Sequence, residues 1–224
     1  MLSGDREYHP TYVKAVKAYE FVLEPSFQDE YEKLLPENAK LVLSHGDVQE
    51  CNFLVHHEDN RRMTLVDFDY VGFNYRGFDL GAYVNECQLD NNHKGDFPYV
   101  AYYKENEMTP EEEKTLVRIY LEREWEIKKA RHEHALAELK KREEEKGEMG
   151  ENNEMIDEVG EKEAYISGGQ FDELMQELQL MKPLGHIYWG VWALATVPIE
   201  RRDQPVFNYH FSLTRLDGYY KTKP

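Results

Sequence analysis

The spacing of apolar positions changes several times along the chain, and each change marks an element. Val13, Val16, Tyr19 and Val22 recur at near-helical intervals, which predicts a helix over residues 10–34 interrupted at Pro25, with 26–34 continuing as a short second helix. Leu41 to Ser44 reads as a short strand. Residues 53–56 and 63–67 read as a β pair across an acidic–basic turn. A helix follows from Phe78 to Glu86 with Asp79 near its start, and residues 87–104, polar and aromatic, read as loop. Thr109-Pro110-Glu111-Glu112 has the make-up of a helix start: Thr as N-cap, Pro at the first position, acids in the first turn. That helix runs past Tyr120 and Trp125.

Residues 126–163 differ in composition, being rich in Glu and Lys and nearly free of aromatics. They read as a charged, flexible insertion: a solvated helix to about 146, then a Gly/Asn-rich break, closed by Ser167-Gly168-Gly169. Residues 170–181 return to an amphipathic helix with Phe171, Leu174, Met175 and Leu178 on one face. No internal repeat is evident. The pattern is α+β and mostly helical, with helices around a few short strands.

The chemistry concentrates on that strand–loop–strand stretch. His45-x-Asp47 ends an apolar run, Asn52 lies five residues after Asp47, and Asp67 ends the second β run. Phosphoryl transfer needs such a set: one carboxylate to position an acceptor hydroxyl, then an amide oxygen and a second carboxylate to hold Mg²⁺ against nucleotide phosphates. Mg²⁺ prefers hard oxygen ligands and keeps several waters, so one Asn and one Asp suffice from the protein. Asp47 is the candidate catalytic base, and His45 braces the loop by hydrogen bonding. Asp69 is the alternative to Asp67, since alternation puts both on one strand face. A purely structural reading makes His45 a buried core residue and Asp47 and Asn52 turn formers, but it leaves Asp67 at the end of an apolar run unexplained.

Length and charge narrow the classes. The 224 residues suffice for one substantial core or two small ones, and 41% hydrophobic with 13% aromatic content is a globular composition. A net charge of −17 argues against a nucleic-acid or anionic-membrane surface, which would need clustered Lys and Arg. Cys51 and Cys87 are too few for a disulfide framework, and reduced thiols in a cytoplasmic protein are expected. No apolar run reaches the ~20 residues a membrane span needs, and the N-terminus lacks a signal-peptide core.

The segment HGDVQECN (45–52) resembles the catalytic loop of the choline/ethanolamine kinase family, part of the wider kinase-like fold of aminoglycoside phosphotransferases. VDFDYVGFNYRGFDLGAYVNE (66–86) is similar to that family's metal-binding segment, and HIYWGVWAL (186–194) and RLDGYYKTKP (215–224) to its closing helices. The likeness spans about 41–104 and 171–224. It implies the C-terminal lobe of a protein-kinase-like fold, with ATP as co-substrate, Mg²⁺ held by Asn52 and Asp67, and Asp47 as base. It also implies an acceptor pocket with Gln49, Glu86, Trp189, Trp192 and Phe211. Phe211 falls where the family often has a tyrosine, for which Tyr209 is a nearby substitute. Arg76 and Asp79, in NYRGFD, match a structural motif expected to tie the metal segment to the neighbouring helix. An aromatic pocket suits choline, because a quaternary ammonium is held by ring faces and carboxylates.

The implied activity is phosphorylation of choline, the first step of phosphatidylcholine synthesis, by a longer parent protein. No glycine-rich loop or strand lysine precedes His45, so the nucleotide-binding N-terminal lobe is expected to be absent and this chain alone inactive. Members of the family often form homodimers. Ala82-Tyr83 and Glu86-Cys87 stand where the family commonly has Asn-His and Glu-aromatic, and QLDNNH lacks a further family aromatic. Ethanolamine, whose primary ammonium donates hydrogen bonds, needs fewer rings and is the alternative acceptor. Two other readings remain: a non-catalytic binding module, and an aminoglycoside-type phosphotransferase, which does not call for WGVW.

Overall fold

The structure, a computed structural model, describes residues 7–91, 93–95, 100–146, 160–204 and 206–223, with backbone alone for 143–146. The chain divides into two compact units, Met1–Thr109 with Met175–Pro224, and Pro110–Leu174.

In the first unit, the expected N-terminal helix is broken twice. Helix α1 spans Pro10–Ala18, a 3-10 turn Glu20–Leu23 follows, and α2 spans Pro25–Leu34. Pro25 begins α2 because its missing N–H costs nothing at a first helical position. Four strands follow: β1 Leu41–Ser44, β2 Phe53–Val55, β3 Met63–Leu65 and β4 Gly72–Tyr75. β2 pairs antiparallel with β3, as expected, with Phe53 opposite Leu65. β1 pairs antiparallel with β4, Leu41 opposite Tyr75 and Ser44 opposite Gly72. The sequence reading did not anticipate β4. Helix α3 is Gly77–Glu86. The stretch read as loop also contains a two-residue pair, β5 Leu89–Asp90 with β6 Ala101–Tyr102.

This topology places two loops side by side. Residues 45–52 run from the end of β1 to the start of β2, and 66–71 from the end of β3 to the start of β4. Since β1 pairs with β4 and β2 with β3, both ends of one loop lie against both ends of the other.

Beyond residue 109 the described residues form α4 Pro110–Lys146, α5 Lys162–Ser167, α6 Gln170–Ala195, a 3-10 turn Ile199–Arg201 and α7 Phe207–Thr222. α6 runs through Pro183, which sits inside it fully buried. The helix thus runs well beyond the 170–181 expected from sequence, although an interior proline costs roughly 3 kcal/mol. Buried side chains on both sides, Leu178, Leu180 and Met181 before it and Ile187, Trp189 and Ala193 after it, outweigh that cost. The core of the first unit joins Tyr12, Val16 and Tyr19 to Met181, Ile187, Leu194, Tyr209, Leu216 and Tyr219. α3 packs close: a Cβ on Gly81 would lie 2.9 Å from the backbone of Met181 and Lys182, so a glycine lets the two helices touch.

The second unit contains α4, α5 and the residues up to Leu174. The 37-residue α4 starts directly at Pro110 with three acids in its first turn. Its exposed face carries pairs such as Lys114–Glu111 at 2.7 Å and Arg123–Glu126 at 2.8 Å, each worth a few tenths of a kcal/mol. Trp125 Nε1 donates to Gly160 O at 2.8 Å, and Lys128 Nζ donates to the Tyr165 hydroxyl at 2.6 Å, joining α4 to the start of α5. Residues 126–146 thus continue one helix, and the Gly/Asn-rich break expected after it, at 147–159, lies outside the described residues.

Candidate active site

The loop at 45–52 is held from three directions. The backbone N–H groups of His45 and Gly46 donate to the two carboxylate oxygens of Asp79, in the first turn of α3, at 2.7 and 3.0 Å. His45 Nε2 donates to the Val66 carbonyl at 2.9 Å, and its Nδ1 accepts from Asp47 N at 3.3 Å. Both ring nitrogens are therefore committed to backbone, and the ring meets Phe68 edge-on at 4.8 Å. Gly46 has φ +84°, and a Cβ there would overlap the Tyr70 carbonyl oxygen, so the crossing of the two loops needs glycine.

Asp47 emerges from this frame half-buried. Asn52 Nδ2 donates to Asp47 Oδ2 at 3.0 Å and to the Asp47 carbonyl at 2.8 Å. Burial pushes the Asp47 carboxyl above the ordinary range; bonds from Asn52 and Gln49 pull part of the way back, and the charge of Glu86 pushes up again. With its N–H₂ turned to Asp47, Asn52 keeps Oδ1 as its remaining ligand atom.

Val66 N donates to the Asn52 carbonyl at 3.0 Å, bringing the start of the second loop onto the end of the first. Asp67 follows with φ +66°, a left-handed conformation that among non-glycine residues Asp and Asn tolerate best. Both Asp67 and Asp69 are exposed. Among the described residues no cluster of three or more His, Cys, Asp or Glu is placed to hold a metal. One amide oxygen and one carboxylate suit an ion that keeps most of its waters.

Six of the expected residues line one cleft of about 250 Å³: Asp47, Gln49, Glu86, Trp189, Trp192 and Phe211. Trp189 and Trp192, three apart on α6, stand 5.3 Å apart between ring centres. Tyr70, which the sequence reading missed, meets them edge-on at 5.3 and 6.3 Å and makes a third wall. Alternation could not have placed it: Asp67 is left-handed and Val71 N donates back to the Phe68 carbonyl at 3.2 Å, so the chain turns here and the expected common strand face of Asp67 and Asp69 is not formed. Phe207, Asn91, Asn208 and Arg215 complete the lining. Tyr209 does not replace Phe211; it is fully buried, and its hydroxyl donates to the Arg201 carbonyl at 3.3 Å.

Glu86 forms no ion pair with Arg76. Arg215 Nη2 bonds its Oε1 at 2.5 Å, and Asn91 Nδ2 bonds its Oε2 at 3.0 Å. Arg76 instead pairs with Glu177 of α6 at 3.1 Å, both fully buried, and Gly77 N donates to the same carboxylate at 3.1 Å. Arg76 thus ties the segment before α3 to α6, while Asp79 ties the 45–52 loop to α3.

The arrangement sets a partly desolvated carboxylate and an aromatic cage around one cleft, with an amide and a second carboxylate at its entry loops. The sequence resembles a probable ethanolamine kinase of Arabidopsis thaliana, 25% identical over 191 residues, which are 84% of this chain and 37% of that protein. A choline/ethanolamine kinase of Homo sapiens is 26% identical over 187 residues, 83% of this chain and 38% of that protein. Among solved structures, a choline kinase from Cryptosporidium parvum Iowa II has the same fold at TM-score 0.54 and 18% identity, over 95% of this chain and 49% of that one. A Plasmodium vivax ethanolamine kinase gives TM-score 0.50 at 17% identity, over 98% and 50%. Both likenesses are to the protein-kinase-like fold. The chain spans roughly two fifths of the curated relatives it matches and about half of the solved ones. With the choline/ethanolamine kinase profile matched from residue 14 to residue 219, through every element that builds the cleft, the chain belongs to that family.

Proposed function

We propose that this chain carries the acceptor site and the catalytic loop for ATP-dependent phosphorylation of choline, with ethanolamine as the second acceptor. The observation that carries this reading is that Asp47 opens onto the same cleft as Tyr70, Trp189 and Trp192. A quaternary ammonium offers no N–H donors and is attracted to ring faces by about 0.5–2 kcal/mol each. A choline molecule with its trimethylammonium among these rings directs its hydroxyl toward the carboxylate.

Asp47 then has one role at each oxygen. Oδ2 is held by Asn52 and Gln49 bonds the same carboxylate, while Oδ1 keeps a lone pair to accept the acceptor's hydroxyl hydrogen and align its oxygen with the γ-phosphorus. The new O–P bond forms as the bond from that phosphorus to the bridging oxygen breaks, with ADP leaving. The hydroxyl proton passes to Oδ1 and from there to solvent. Burial fits the carboxyl for this, because it raises proton affinity above that of a solvated Asp. Asn52 Oδ1 and the Asp67 carboxylate are the oxygen donors that fit Mg²⁺, which when bound supplies charge neutralisation for the phosphates.

The test is a titration of the tryptophan fluorescence with choline, ethanolamine and an aminoglycoside, together with choline-dependent ADP release by this chain and by the longest product of its gene. Quenching by choline at lower concentration than by ethanolamine, with turnover in at least the longer product, is the expected result. Quenching by the aminoglycoside alone overturns the acceptor assignment. Choline binding without turnover in either protein favours a binding module instead.

A further inference from the structure

Resting on the reading of this cleft as an ammonium site, we propose that Arg215 is a specificity-determining positioning residue. Together with Asn91 it bonds both carboxylate oxygens of Glu86, which halves the acceptor sites that carboxylate offers a ligand's N–H groups, offsets its charge, and favours a methylated ammonium over a primary one.

Glu86, at the end of α3, and Arg215, in α7, are 129 residues apart in sequence and both buried. Their contact is desolvated, so it is not exchanged freely with water. The guanidinium also lies 4.8 Å from the centre of the Phe211 ring, which fixes it from the aromatic side. Asn91 holds the second oxygen. One of the two lone-pair directions on each Glu86 oxygen is thereby taken.

A primary ammonium entering the cleft carries three N–H donors, each of which loses water and needs an acceptor. A trimethylammonium loses no hydrogen bond there, since it has none to give, and meets the rings instead. Arg215 also sets the charge. Asp47 and Glu86 are two acids on the cleft and Arg215 one base, which leaves a single net negative charge opposite one cation. Removing the guanidinium increases the attraction for any cation, but it adds a hydrogen-bond acceptor that only the primary amine can use.

The experiment compares dissociation constants for choline and ethanolamine by tryptophan fluorescence in the whole chain and in Arg215→Met, Arg215→Lys and Asn91→Ala. Arg215→Met is expected to lower the choline preference about tenfold, the scale of one freed charged acceptor. Arg215→Lys, which keeps one donor, is expected to fall between it and the parent. Asn91→Ala frees Oε2 at a half-exposed position and is expected to lower the preference about threefold; it carries the test if Arg215→Met, which strands a buried carboxylate, fails to fold. A preference unchanged within twofold in every folded variant, while the parent binds both ligands, overturns the clamp and leaves the kinase reading intact. A parent chain that binds neither cation overturns both.

Discussion

Asp47 is where opposing demands on one carboxylate meet. Burial favours its neutral form, while Asn52 and Gln49 favour the charged one, and burial wins. A carboxyl whose proton affinity is higher in the folded than in the unfolded protein subtracts stability as pH rises through and above the ordinary Asp range. Asp47→Asn keeps an oxygen for the Asn52 bond and removes the charge. It should lower phosphotransfer by about 10²–10⁴-fold while the thermal midpoint at pH 7 stays level or rises. A midpoint that falls would make Asp47 an ordinary structural residue. The acid limb of kcat/KM should lie above the pKa of a solvated Asp. Asp67→Asn is the companion case. Asn tolerates the left-handed backbone at φ +66°, so fold and choline quenching should persist while Mg²⁺ dependence shifts to millimolar or higher concentration, read from turnover against Mg²⁺. At this scale the sequence was most legible where chemistry is local. Asp47, Asn52 and Asp67 announce themselves by residue type and spacing, whereas the Arg215–Glu86 contact spans 129 positions and leaves no local trace.

Between elements, the decisive join is from α3 to the 45–52 loop. Asp79 receives two backbone N–H groups and so sets where β1 delivers Asp47. Asp79→Ala leaves those donors without their carboxylate and is expected to cost about 2–3 kcal/mol of stability in urea unfolding. It should also lower kcat more than it raises KM, because the loop misplaces the base while the rings of the pocket are untouched. Asp79→Asn, with one acceptor oxygen remaining, should fall between the two. Equal losses in kcat and KM would argue that α3 shapes the pocket rather than the loop. Strands β1 to β3 and α4 were readable because apolar runs, a turn and a Pro-acid helix start are written in consecutive residues. β4 was not: Phe73 and Tyr75 alternate with Gly72 and Asn74, but the run is short, Phe73 faces solvent, and the partner strand lies about thirty residues earlier. The two-residue β5 and β6 are too short for any period, and the passage of α6 through Pro183 depends on burial that only the assembled core supplies.

The stability of the unit built from Met1–Thr109 and Met175–Pro224 should depend on pH through His186. Its imidazole lies on α6 against Gly218 of α7, where an added Cβ would approach within 2.5 Å of the ring. Burial, with the positive charges of Arg215, Lys182 and Lys221, pushes its pKa down to about 3. The folded protein therefore holds this ring neutral where the unfolded chain would protonate it. Stability is then complete above the ordinary His pKa of about 6.5 and is lost as pH falls below it, until the folded-state value near 3 is reached. The loss should reach about 2 kcal/mol by pH 5, at about 1.4 kcal/mol per unit. His186→Gln does not titrate, so its urea-unfolding free energy should be flatter than the parent's between pH 7 and pH 5; an equally steep curve would place the acid sensitivity elsewhere. Arg215 gives the same measurement a second use. It pushes down the His186 pKa and holds Glu86, so Arg215→Met should raise the folded-state pKa and end the acid-dependent loss at a higher pH, read by carrying the comparison with His186→Gln below pH 5, in the same variant that shifts ligand preference. One side chain would then set both the charge beside the buried His186 ring and the ligand preference of the cleft.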